Sequence, residues 1–341
     1  MFSTLGSSIV VFAIAAVIIA VTGVRLAQLA DELADRTGWG EALMGGLFLA
    51  GITSLPDFAA TLTAAVDGYA ALAMGNVMGS LAVNLVFLCI GDIFYRKANL
   101  EHAAATSPNL IQAALFIGLL VIPLLAMVTV PVAVLGIHPI TPLLVCSYIL
   151  GYRLVQSSQY RPMWIPRRTS QTVVDQPDQA GNDNQRAGLR LWLVFALLAL
   201  LIATSGWALM NAAETIASET ALSESAVGTL FTAFFTSLPE LVTTIAAVRY
   251  GALTLAVSNI LGTNCFNILV FAAADIAYRD GSIYHAIGTP QLAWGLLTIL
   301  MTAILLLGFI CRERDGIGRI GFESFLILLL YAAAATITLL A

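Results

Sequence analysis

Charge is what this sequence has least of: only 10% of its 341 residues are Asp, Glu, Lys or Arg, against 59% hydrophobic. A soluble domain carries about a quarter of its residues as charge, so the composition excludes one, and a mean hydropathy of +0.91 points to a chain that crosses a membrane repeatedly. Basic clusters that would track a phosphate backbone are missing as well, which leaves no nucleic-acid partner, and no obligate protein partner is evident. The net charge of −5 is no guide to partners, because sign is decided loop by loop in a bilayer. Four cysteines, Cys89, Cys146, Cys265 and Cys311, fall in apolar runs without metal-ligand spacing and read as packing residues. Three histidines, His102, His138 and His285, lie scattered at loops or span ends. The first seven residues have no Lys or Arg, so the opening apolar run lacks the basic region of a signal peptide and is expected to be a retained span.

What is present is a set of apolar runs of about 20 residues, each able to cross a hydrocarbon core of roughly 30 Å. They lie near 8–30, 40–66, 70–95, 109–128, 131–154, 188–210, 223–248, 251–278, 289–311 and 319–340. The expected fold is therefore an all-α polytopic membrane protein with ten transmembrane helices. If the amino terminus is outside, fourteen of the fifteen basic residues fall on the cytoplasmic side, from Arg25 and Arg36 to Arg312, Arg314 and Arg319, and only Arg279 is left out. That bias supports ten spans with both termini outside.

One stretch occurs twice. Thr53-Ser54-Leu55-Pro56-Asp57, followed by Gly75-Asn76, Gly79-Ser80 and Asn84, returns 183 positions later as Thr236-Ser237-Leu238-Pro239-Glu240, Ser258-Asn259, Gly262-Thr263 and Asn267. Residues 53–96 and 236–279 share 16 of 44 positions, and the register continues through Asp92/Asp275 and Arg96/Arg279. Such self-similarity marks an internal duplication. Each half has five spans, so the second enters the membrane in the opposite sense. The expected units are residues 1–155, a linker at 156–187 and an inverted repeat at 188–341. Inverted repeats with Pro- and Gly-interrupted helices at midplane are the architecture of secondary transporters, although a channel shares the symmetry. The linker is Pro-, Asp-, Asn- and Gln-rich, and its residues 175–183 lack the ligand spacing of a calcium-binding loop.

An acid at mid-membrane costs roughly 2.5–3.5 kcal/mol on insertion scales, so matched acids call for a compensating cation. On a helix, Thr53 and Ser54 share a face with Asp57, as do Thr236 and Ser237 with Glu240. Pro56 and Pro239 lack an N–H, which frees a carbonyl near Ile52 and near Phe235. Asn76, Ser80 and Asn84, and Asn259, Thr263 and Asn267, form a second stripe at four-residue spacing. Carboxylates, hydroxyls, amides and carbonyls are hard oxygen donors suited to Ca²⁺, and the absence of His and Cys argues against zinc or copper. A buried acid also binds a proton readily, so H⁺ is the rival coupling ion. Asp92 and Asp275, with Arg96 and Arg279 four residues on, are expected to form helix-end ion pairs. An intramembrane aspartyl protease is set aside, because Ala274-Asp275 lacks the glycine-flanked signature.

The paired motif resembles the alpha repeats of the sodium/calcium exchanger branch of the cation/calcium antiporter superfamily, and the resemblance extends over essentially the whole chain. It implies Ca²⁺ for Na⁺ exchange across an inner membrane by alternating access, with H⁺/Ca²⁺ exchange as the alternative and a cation channel less favoured. No covalent chemistry and no cofactor beyond the transported ions are implied. Carried over by position, Asp57 and Glu240 would be the shared acids. Thr53, Ser54, Ser80, Thr236, Ser237 and Thr263 would offer side-chain or backbone oxygens, Ala50 and Ala233 backbone carbonyls, and Asn84 and Asn267 flanking polar ligands. The chain departs from the family pattern at Asp57, where Glu is usual, at Leu81, which faces Asn264 in the repeat register, and at Asn267, where some relatives have Asp. It also lacks the large central insertion of animal exchangers.

Overall fold

A computed structural model describes residues 5–134, 136–160, 165–173, 185–218, 226–313, 316 and 320–340. Residues 175–183 of the linker, and Arg161, Arg314 and Arg319 of the basic set, lie outside the described residues.

Helices account for nearly all of the described chain, and they follow the duplication. The first half comprises α1 (Leu5–Thr37), α2 (Gly40–Thr53), α3 (Leu55–Val66), α4 (Ala70–Phe94), the short α5 (Leu100–Ala103), α6 (Ser107–Val128) and α7 (Ile140–Tyr160). The second comprises α8 (Gln185–Ser218), α9 (Val227–Thr236), α10 (Leu238–Tyr250), α11 (Leu253–Ala277), α12 (Thr289–Cys311) and α13 (Phe322–Leu340), with a single 3₁₀ turn, Ile283–His285, where the first half has α5. The bounds of α4 and α11 are offset by the same 183 residues as the motif.

Seven unbroken helices among the described residues are long and apolar enough to cross a membrane, and two bent pairs add one span each. The remaining long helix, Ile140–Tyr160, has 21 residues. At 1.5 Å per residue it is about 31 Å long, enough for a tenth crossing despite Arg153 and a polar last turn. The ten-helix inverted-repeat architecture expected from the sequence is the one observed.

The bent pairs are α2/α3 and α9/α10, broken by 44° and 45° at Ser54 and Ser237. Each proline sits in the first turn of the following helix, where its missing N–H would have no helical partner in any case. The break therefore falls before the proline, not at it. In both halves the run before the break is wound as a π-helix, Met44–Leu49 and Val227–Thr232, again in register. A π stretch re-aims the residues beyond it, and such stretches are frequent at functional sites.

Close packing dictates where these bent pairs lie. A side chain on Gly79 of α4 would strike the Thr229 carbonyl and Ala233 of α9, and one on Gly262 of α11 would strike the Gly46 backbone of α2. The π segment of each half thus rests directly on the long helix of the other half. Helices α4 and α11 are buried along most of their length at the centre, whereas α1 and α8 pack along each other at the side. Their outer faces, with Val10, Ile14, Val17 and Val21 on α1 and Leu193, Leu197 and Leu200 on α8, are exposed as lipid contact requires. Cys89 and Cys265 are buried, while Cys146 and Cys311 are exposed and so are not packing residues.

Asp92 and Asp275 do not pair with Arg96 and Arg279. Asp92 accepts from the Leu100 N–H (2.7 Å), the Gly321 N–H (3.1 Å) and the Ser324 hydroxyl (3.0 Å). Asp275 accepts from the Ile283 N–H (3.3 Å), the His138 N–H (2.8 Å) and the Thr141 hydroxyl (2.6 Å). Each of these donors in one set is 183 residues from its counterpart in the other. Asp275 has one more, the Ser282 hydroxyl (3.4 Å), whose counterpart Asn99 donates instead to the Glu313 carbonyl. Each aspartate ties the end of its own long helix to the start of the last helix of the opposite half. Backbone N–H groups at a helix start are unsatisfied donors, and a carboxylate meets them better than a solvated guanidinium would be met at a membrane surface.

Candidate functional site

The breaks at Ser54 and Ser237 bring the start of α3 and the start of α10 against the middles of α4 and α11. Asp57 and Glu240 occupy those starts and are 2% and 0% exposed. They are close enough for the charge of Asp57 to act on Glu240. All of Thr53, Ser54, Ser80, Asn84, Thr236, Ser237, Thr263, Asn267, Ala50 and Ala233 are buried around them.

Contacts between the halves hold the site together. The Asp57 carboxylate accepts on Oδ1 from the Ser80 hydroxyl (2.8 Å), from the Asn76 amide (3.4 Å) and from the Thr236 hydroxyl, and on Oδ2 from the Asn267 amide (2.9 Å). Two of these donors come from its own half and two from the other. A third cross-half contact is made by the Asn84 amide, which donates to Asn264 Oδ1 (3.0 Å), and a fourth by the Asn264 amide, which donates to the Leu81 carbonyl (3.0 Å).

Glu240 is surrounded differently. Neither of its oxygens has a hydrogen-bond partner. The Thr53 hydroxyl lies beside it but is turned to the Leu49 carbonyl (3.1 Å) and the Ala50 carbonyl (3.3 Å). Also without a partner are Ser54 Oγ, Asn84 Oδ1, Ser237 Oγ, Asn259 Oδ1, Thr263 Oγ1 and Asn267 Oδ1. With the two Glu240 oxygens, that makes eight buried oxygens at the repeated motif and its helical stripe. Buried polar atoms are ordinarily satisfied, and each one left alone costs about 1–3 kcal/mol. Eight together, all hard oxygens, suit a cation with six to eight oxygen ligands. Among the described residues, no three His, Cys, Asp or Glu side chains share a metal position, so neutral oxygens must supply most of such a shell.

The carbonyls fare differently from the side chains. Ala50 accepts from the Ser54 N–H (3.0 Å) and Ala233 from the Ser237 N–H (3.2 Å), so both oxygens are engaged within their own helix. Sequence reasoning left Thr61, Thr243 and Thr244 out of the site. Thr61 receives the Asn76 amide (2.9 Å), and Thr243 and Thr244 receive the Asn259 amide (3.0 and 3.2 Å), which orients the carbonyl ends of both asparagines. Thr61 and Thr244 are identical in the repeat register, and that was the signal available.

The sodium/calcium exchanger protein family model matches residues 7–156 and 190–340, most of the chain. Inner membrane protein YrbG of Escherichia coli is 36% identical over 115 residues, 34% of this chain and 35% of that protein, so the match spans about a third of its length. Sodium/calcium exchanger MaX1 of Methanosarcina acetivorans is 28% identical over 32% of this chain and 31% of its own. An uncharacterized membrane protein of Methanocaldococcus jannaschii, MJ0091, is 25% identical over 86% of this chain and 85% of its own. A solved structure of the sodium-calcium exchanger NCX_Mj, soaked with Na⁺ and no Ca²⁺, superposes with a TM-score of 0.72 over 98% of this chain and 99% of that one, at 15% identity, and so shares the fold. With both repeats matched, this multi-pass membrane protein belongs to the sodium/calcium exchanger family, whose members are transporters and not enzymes.

Proposed function

We propose that the protein exchanges Ca²⁺ for Na⁺ by alternating access, as a secondary antiporter of a bacterial inner membrane with both termini outside. In this reading residues 1–155 and 188–341 are the two repeats and 156–187 a cytoplasmic linker. The observation that carries it is the set of eight buried, unpartnered oxygens on the repeated motif and its helical stripe, two of them Glu240's own, beside a second carboxylate that is bonded from both halves. Asp57, Glu240, Thr53, Ser54, Ser80, Asn84, Thr236, Ser237, Thr263 and Asn267 are the ligand set, with Ala50 and Ala233 contributing carbonyls when the helix break opens. Two carboxylates balance one Ca²⁺, and a site of mixed carboxylate and neutral oxygens also accepts Na⁺. The names of MaX1 and NCX_Mj lend the choice of ions its support. Helices α1 and α8 lean on the motif from outside: a side chain on Gly206 of α8 would strike Pro56. They are placed to slide past the bent pairs and open each side in turn.

H⁺/Ca²⁺ exchange is the second reading, favoured by one feature. A carboxyl group without a donor or a cationic neighbour is one that takes up a proton. Radiolabelled Ca²⁺ uptake into proteoliposomes, driven in turn by Na⁺, K⁺ and H⁺ gradients, separates the two. Uptake driven by outward Na⁺ alone is expected. Uptake driven by H⁺ alone selects the second reading, and uptake indifferent to any counter-ion means a channel.

A further inference from the structure

Outside the transport site the molecule buries a second group of acids, at the end of α4 that meets the linker. Asp92, Glu101 and Glu323 are each 1% exposed or less. Asp92 is fully used by its three donors. Its mirror station around Asp275 shows what the other two add. In the 183-residue register the counterparts of Glu101 and Glu323 are Tyr284 and Ile140. There the Tyr284 hydroxyl lies 3.3 Å from Thr141 Oγ1, and the station is complete without a second acid. Glu101 and Glu323 are therefore additions to a joint that forms without them.

Asp92 gathers the N–H of Leu100, next to Glu101, and the Gly321 N–H and Ser324 hydroxyl, which flank Glu323, and so brings the two carboxyls together. Neither oxygen of Glu101, nor Oε2 of Glu323, has a donor. Glu323 is also boxed in: a side chain on Gly308 of α12 would come within 2.6 Å of its Cγ, so it has little room to turn away. The described charged or titratable groups that reach the pair are Asp92 and the Cys89 thiol from α4 and Glu313 from the loop after α12. None is a cation. Arg312 lies nearby, but its guanidinium donates to the His102 carbonyl (2.7 Å), to Thr172 Oγ1 (2.8 Å) and to the Arg167 carbonyl. Two acceptors set face to face need a proton or a metal ion between them, and no three acids here share a metal position.

We infer that Glu101 and Glu323 bind one proton between them, and that this shared proton clasps the α4–α6 connection to the start of α13 and so holds the linker docked. The connection carries the linker with it. His102, next to Glu101, lies 2.7 Å from the Arg312 carbonyl and 2.8 Å from Thr169 Oγ1, and the Val173 N–H donates to the Ala103 carbonyl (3.1 Å). Loss of the proton leaves two like charges in contact in a low-dielectric setting. Separation relieves them only by moving α5 and the linker segment 167–173 away from α13. Asn84 of the transport site stands eight residues, ~12 Å, back along the same α4, so the clasp is joined to the site by one helix.

Burial, then the charges of Asp92 and Glu323, push the Glu101 carboxyl well above the usual glutamate range. A group raised in the folded state gives stability that is whole below its unfolded value, about pH 4.3, and is lost as pH rises through the folded value. The wild-type melting temperature of the full-length protein in detergent with EDTA is therefore expected to fall between about pH 5 and pH 9. Glu101→Gln and Glu323→Gln each supply a permanent N–H donor, and either is expected to flatten that fall and to melt above wild type at the alkaline end. Trypsin cleavage of the wild-type protein at Arg167 and Arg168, normalised to a free peptide of the same sequence, is expected to rise several-fold over the same range. Parallel melting curves for wild type and variants would overturn the inference, as would a cleavage rate indifferent to pH. So would an alkaline melting temperature restored by Ca²⁺ or Mg²⁺ in wild type but not in Glu101→Gln, which would make the bridge a metal ion. None of these readouts depends on which ion is transported.

Discussion

Asp57 and Glu240 hold the same position in two halves built to one plan, yet Asp57 accepts from Ser80, Asn76, Thr236 and Asn267 while Glu240 has no donor. Part of the difference follows from one residue. The counterpart of Asn267 is Asn84, and its amide is drawn away by Asn264, which stands where the first half has Leu81. Asn267 meets no such competitor, so its amide stays on Asp57. Asn259 bonds only Thr243 and Thr244, and Thr53 only its own helix, whereas Asn76 and Thr236 make the corresponding contacts and also reach Asp57. A carboxylate with four donors has its oxygens occupied, whereas one with none is left to be completed by a cation or a proton. The duplication thus yields one acid whose oxygens are bonded across both halves and one whose oxygens are free, the latter being the acid expected to hold the ion in the proposed exchange.

The largest test of that contrast is to neutralise each acid. Glu240→Gln is expected to abolish Ca²⁺ uptake, a loss of at least about 100-fold, while leaving the protein as stable as before or more so, since a buried acid without partners is removed. Asp57→Asn is expected to reduce uptake and also to destabilise the fold by about 1–3 kcal/mol, because its new amide confronts four donors. Tracer uptake and thermal melting of both variants decide it. Equal stability of the two would show that the halves are alike after all.

A smaller and sharper test makes the halves match. Asn264→Leu leaves the Asn84 amide without its acceptor and free to reach Glu240. One hydrogen bond to a charged group is worth about 1.5–3 kcal/mol, so the Ca²⁺ concentration for half-maximal uptake is expected to rise by about tenfold. If it stays unchanged, Asn264 is not what keeps Glu240 free.

Much of this was legible before any coordinates. The register of 183 residues located the two interrupted helices and the two long helices that follow them, because backbone duplication constrains them together. Which hydroxyl meets which acid was not legible, since Asp57 takes Thr236 of the other half and not Thr53 or Ser54. The π-helical runs were not legible, since Met44–Leu49 and Val227–Thr232 are wound by their packing on α11 and α4 and have no composition of their own. The Asp92 and Asp275 contacts were misjudged for a related reason. Arg96 and Arg279 are close in sequence, and helical spacing suggested them. The true donors, Gly321 and Ser324 for one and His138 and Thr141 for the other, come from the opposite half, and only their shared offset betrays them. The same limit applied inside the site, where sequence placed Asn84 and Asn267 as equals and could not say which amide a neighbour would divert.

The mirrored aspartate stations offer the finest comparison, because there the two halves share three donors in register and differ by the Ser282 hydroxyl on Asp275 and by their surroundings. Thr141 Oγ1 lies 2.6 Å from Asp275, and Ser324 Oγ 3.0 Å from Asp92. Removing either hydroxyl takes one donor from a buried carboxylate that keeps its backbone donors, so each of Thr141→Ala and Ser324→Ala is expected to cost about 1–2 kcal/mol by melting. At neutral pH the two losses should be similar. At alkaline pH they should part: Ser324→Ala weakens a joint that already holds Glu101 and Glu323, whereas Thr141→Ala weakens one that holds Tyr284 and Ile140, so only the first should grow with pH. A gap that does not widen would mean that the extra acids of the first station leave its strength untouched.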